Sequence, residues 1–93
     1  AVVASCRRGG STATLDQLLK YPEFMQMPIV TAQYWTMVHG TTPDEVKKDL
    51  EGMQAMRTLG KNMAWLLKCI DAGKKAGVNK PETEEKIKTN FIR

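Results

Sequence analysis

The chain opens on an apolar, β-favouring run at residues 2–5 that stops at the polar stretch Cys6-Arg7-Arg8-Gly9-Gly10. A short apolar run without polar alternation is the pattern of a strand covered on both faces. Ser11 or Thr12 then offers an N-cap for a helix reaching about Tyr21, with Leu15, Leu18 and Leu19 on one side and Pro22 as its stop. A second β-favouring run covers residues 27–32, with Pro28 near its start, where a missing N–H is tolerated. It leads into Gln33-Tyr34-Trp35-Thr36-Met37-Val38-His39-Gly40.

The sharpest local signal follows. Thr42-Pro43-Asp44-Glu45 places Thr at N-cap, Pro at the first helical position and Glu three residues after the cap, a capping box with acids at the positive end of the helix dipole. The helix it predicts runs to Ala72 or beyond, with Val46, Leu50, Met53, Met56, Met63, Leu67 and Ile70 as its apolar stripe. Gly52 and Gly60 each weaken it by about 1 kcal/mol relative to Ala, and read as close-packing points or a slight bend. Leu59, Trp65 and Leu66 lie off that stripe. A helix apolar on two sides sits between layers, which predicts a homo-oligomer formed through this helix. The tail is polar until Ile87 and then closes on Phe91-Ile92, residues expected to dock onto a neighbour.

The order strand, loop, helix, strand, loop, helix predicts an α/β fold with two parallel strands joined by a crossover. Two strands make no stable parallel sheet alone, so missing upstream strands or another copy must complete it. A chain of 93 residues, 42% hydrophobic, is at most one small globular domain. An apolar strand at the very first residues, with no initiator Met, makes the chain look like a fragment. It carries no secretory signal and no run near the ~18 apolar residues of a membrane span, so a cytoplasmic protein without membrane contact is expected. The net charge of +4 is spread among acids, as in Asp44-Glu45 before Lys47-Lys48, and no basic stripe interleaved with aromatics marks a nucleic-acid partner. Cys6, Cys69 and the single His39 form neither a disulfide framework nor a metal site.

In open parallel sheets, ligands bind beyond the carboxyl ends of the strands. The loops at residues 6–11 and 33–40 are both expected to leave such ends and so to share one edge. There Gly9-Gly10 allows close backbone approach to a planar ligand, Arg7 or Arg8 stabilises negative charge, and Tyr34 and Trp35 offer stacking faces. Each feature also has an ordinary reading: a strand-to-helix turn with solvated arginines, and aromatic packing. His39 has no acid–base partner in sequence, no serine sits in a nucleophile elbow, and Asp44, Glu45, Asp49 and Glu51 belong to helix first turns, so no catalytic residue is assigned. Arg7 and Arg8 beside Cys6 also suit a redox-sensing thiol.

These residues resemble a known family. Residues 2–14, then Pro28-Ile29-Val30-Thr31-Ala32-Gln33-Tyr34-Trp35, then His39-Gly40 are similar to the second half of NAD(P)H-dependent FMN reductases, in the iron–sulfur-flavoprotein-like branch of the flavodoxin-like superfamily. The segments 49–53 and 57–64 resemble that family's last helix. The resemblance implies that residues 1–93 are the C-terminal half of a flavodoxin-like domain, without its phosphate-binding loop or a cysteine cluster. It implies an FMN site lined by Cys6, Arg7, Arg8, Gly9, Gly10 and Ser11 and flanked by Gln33, Tyr34 and Trp35, with NAD(P)H as reductant and little or no flavin affinity in this half alone. The competing expectation is a non-enzymatic helical self-association or assembly module.

Overall fold

The computed structural model describes residues 1–92. Five elements follow one another: β1 (Ala4–Cys6), α1 (Ser11–Phe24), β2 (Met37–His39), α2 (Pro43–Val46) and α3 (Leu50–Lys75). The strands pair in parallel, with Ala4 opposite Met37 and Cys6 opposite His39. The chain is therefore a small α/β fold of two strand–helix units closed by a long C-terminal helix, in the element order expected.

The second strand lies elsewhere than its β-propensity predicts. Residues 27–32 form no strand, and the pairing partner of β1 is Met37–His39. The reason is topological. Helix α1 starts at the carboxyl end of β1 and runs back along the sheet, past Pro22, to Phe24. Gln26 then turns the chain in the left-handed region (φ 54°). A strand parallel to β1 must begin at the amino end, and the stretch after Gln26 makes that return. β-propensity reports fit to a pleated, half-buried surface, and these residues meet none.

The two long edges of the sheet are unlike. Ala4 N–H donates to Thr36 O and Gly40 N–H to Cys6 O, so in a parallel ladder Ala4 and Cys6 bond across to β2 while Val3 and Ser5 face the other way. No strand lies beyond them among the described residues. The outer edge of β2 is closed instead. His39 N–H donates to Asp49 Oδ2 at 2.8 Å, and a Cβ on Gly52 would stand 2.9 Å from Met37 O.

That closure splits the predicted single helix. Thr42 caps as expected, with Glu45 N–H donating to Thr42 Oγ1, while the Glu45 carboxylate reaches back one residue further than a capping box does and accepts the N–H of Thr41; but α2 stops at Val46. Asp49 starts α3 afresh, accepting from Gly52 N–H at 2.9 Å. The face of α3 against the sheet is also not the long-chain stripe. Gly52, Ala55 and Leu59 are buried, while Leu50 is 77% exposed. A helix start pressed against a strand edge has room only for small side chains. Gly52 is thus a close-packing point, whereas a Cβ at Gly60 would meet nothing within 4 Å.

The core is thin. Ala4, Leu15 and Met37 form one cluster flanked by Val2, and Ala55 and Leu59 are the remaining buried apolar side chains. The molecule is a slab of 48 × 47 × 18 Å with a radius of gyration of 17.6 Å, against about 12 Å for a chain this long packed to ordinary density.

Candidate functional site

Three features follow from this frame, and the first is the loop from β1 to α1. It leaves the carboxyl end of β1 and enters α1 through Gly10, the N-cap, at φ 94°. Neither Ser11 nor Thr12 caps the helix: Ser11 is its first residue and is buried. The burial has a cause. Ser11 Oγ donates to Met37 Sδ at 3.3 Å and lies 3.1 Å from Cys6 Sγ, tying the loop to both strands. Arg7, Arg8, Gly9 and Gly10 are exposed, and nothing stands within 4 Å of a Cβ placed on either glycine.

Gln33, Tyr34 and Trp35 do not join that loop. They precede β2, so in the parallel register they stand at the amino end of the sheet, while residues 6–10 leave the carboxyl end. The expected shared edge is corrected accordingly: of residues 33–40, only His39 and Gly40 reach it. The shift of the strand by ten residues, from 27 to 37 at its start, puts the aromatic pair before the amino end of this three-residue strand, where it also shares a small cavity with His39 and Asp49. Tyr34 and Trp35 pack on each other, with ring centroids 6.2 Å apart and planes tilted by 50°.

Tyr34 and Trp35 instead border the second feature, an apolar groove of about 340 Å³ between α1 and residues 29–36. Leu15 and Leu19 line it from the helix, Ile29 and Val30 from the return segment, and Asp16 is its one charged residue.

The third feature is the junction of β2 and α3. The Asp49 carboxylate accepts N–H groups from Gly52 and His39, with His39 Nδ1 at 3.5 Å from Oδ2. Donation first from Gly52 and then from His39 holds its pKa below the ordinary aspartate value. Glu45 is lowered as well, chiefly by the Thr41 N–H. His39 thus has an acidic neighbour, but that neighbour serves as a helix cap. Sequence reasoning placed Asp49 inside one long helix. The signal for its role was present, an Asp three residues before Gly52 at the start of a new period, but the stronger box at Thr42 masked it.

Both cysteines are free, Cys6 half-buried and Cys69 exposed on α3. Among the described residues there is no group of three or more metal-ligating side chains, and no helix is long and apolar enough to cross a membrane. Comparison with known proteins gives no match to a family model, a curated protein or a solved structure.

Proposed function

We propose that this chain is a non-enzymatic assembly module whose long helix pairs with a second copy of itself. The observation that carries this reading is the mismatch between α3 and the sheet beneath it. At 26 residues the helix is about 39 Å long. Asn62 Nδ2 donates to Thr31 O at 2.8 Å, and no residue beyond it on α3 is buried. The apolar stripe nevertheless continues through Met63, Leu67 and Ile70, with Met63 half-buried and Leu67 59% exposed, and Trp65 and Leu66 add apolar surface beside it. About two turns of helix carrying a partly exposed apolar stripe are stabilised when another helix covers them. The thin core adds to the case, because a slab with five buried apolar side chains among the described residues gains from an added layer.

Sedimentation of the purified chain from low micromolar to submillimolar concentration tests this. The expected result is a reversible dimer that L67D/I70D converts to monomer without loss of helical circular dichroism. A wild-type chain that stays monomeric over the whole range refutes it.

One observation favours a second reading, the C-terminal portion of an FMN-dependent NAD(P)H oxidoreductase. The open Gly9-Gly10 backbone sits at the carboxyl end of a parallel strand, where a flavin ring would find close approach and the Arg7 and Arg8 charges. In this reading Cys6 to Ser11 line the ring in a longer parent, and Tyr34 and Trp35 take no part from their own edge. Flavin titration into this chain is expected to give weak or no quenching in this reading too, because this half carries no phosphate-binding loop; tight stoichiometric FMN binding would contradict that expectation.

A further inference from the structure

We infer that the groove between α1 and residues 29–36 is the docking site for the C-terminal apolar segment of a second copy, with Phe91 and Ile92 as its anchors. This goes beyond helix pairing and rests on that reading only for its choice of a second copy. The groove is apolar and open, and Trp35 on its rim is 59% exposed. At about 340 Å³ it lies at the small end of ligand pockets, which run from about 300 to 1,000 Å³, and it accommodates a few side chains.

The tail supplies matching chemistry. Ile87, Phe91 and Ile92 are about nine-tenths exposed, with Phe91 at 91%. Its own chain does not seat them. Thr83 Oγ1 donates to Gln26 Oε1 at 3.2 Å, and Lys86 Nζ lies 4.2 Å from the Phe24 ring centroid. These contacts fasten the tail to the end of α1, after which its apolar residues leave the surface. A groove passed over by its own tail is free for another's. Lys88, between the apolar residues, complements Asp16 on the groove wall.

Area points the same way. A strip of α3 beyond Asn62 is about 20 Å long and 10 Å wide. That is far below the roughly 800 Å² each partner buries in a specific complex, so a stable pair of copies requires further contact. Reciprocal seating of two tails in two grooves provides it.

The test uses the full chain carrying Trp65→Phe, on the exposed side of α3, so that Trp35 alone reports. Its emission is expected to shift to the blue as concentration rises. In F91A/I92A the shift is absent, and a peptide of residues 84–93 added to that variant restores it. The same peptide with Ala at both anchors binds at least about tenfold more weakly. A shift independent of concentration assigns the groove to the chain's own tail and overturns the inference. So does a silent peptide, or a shift that F91A/I92A leaves intact. Adding L67D/I70D separates the two proposals: it removes helix pairing, yet the peptide shift persists.

Discussion

Asp49 is the residue on which the junction of sheet and helix turns, and its replacement has a calculable cost. Oδ1 caps α3 through Gly52 N–H, and Oδ2 accepts the outward N–H of His39 from the edge of β2. Losing an aspartate cap costs about 1 kcal/mol. A hydrogen bond to a charged acceptor is worth about 1.5 kcal/mol, less where water replaces the acceptor, as it does at this exposed edge. Asp49→Ala is therefore expected to destabilise the fold by about 2 kcal/mol, equivalent to a fall in melting temperature of about 10 °C in a domain of this size. Asp49→Asn separates the two bonds. Asn caps as well as Asp, but it has one acceptor oxygen, so if that oxygen caps α3 its amide group turns a donor toward the His39 N–H. About half the loss is expected. Urea unfolding followed by circular dichroism at neutral pH reads both values. An Ala variant within about 0.5 kcal/mol of wild type, or an Asn variant as damaging as Ala, would refute this account.

The two glycines of α3 make opposite predictions. Gly52→Ala drives a methyl group against Met37 O and the Asp49 carboxylate, and is expected to cost about 1–3 kcal/mol in the same unfolding assay. Gly60→Ala meets open space and is expected to stabilise by about 0.5–1 kcal/mol; a loss there would show that Gly60 holds a contact of its own. Acid acts through Asp49 and Glu45, both with folded pKa values below their ordinary ones. Such groups contribute fully above the unfolded value of about 4, and the contribution fades as pH falls through the lower folded values. The stability gap between wild type and Asp49→Ala should hold from pH 7 to about 5 and narrow below 4. Melting curves that stay parallel to pH 2.5 would contradict that.

Local chemistry was legible where neighbours in sequence are also neighbours in space. The cap at Thr42 and the turn at Gly9-Gly10 could be read directly, because a cap or a tight turn is decided within four residues. The strand before that turn was legible in place, but it begins at Ala4 and is covered on one face only, with Val3 and Ser5 exposed. The parallel α/β arrangement was legible too, since a strand, a crossover helix and a second strand leave few ways to pair. The candidate ligand loop at residues 6–11 stands at the carboxyl edge, where expected.

Tertiary structure decided what depends on distance along the chain. Residues 27–32 have strand propensity, but the length and direction of α1 put β2 ten residues later, so that Tyr34 and Trp35 precede the strand at its amino end. Periodicity marked Leu50 and the methionines as the packing stripe of one helix. The closed edge of β2 selected Gly52 and Ala55 and began that helix anew at Asp49. Side-chain pattern says which surfaces are apolar. Only the path of the backbone says which of them meet, because pairing depends on where each element begins and how far it runs.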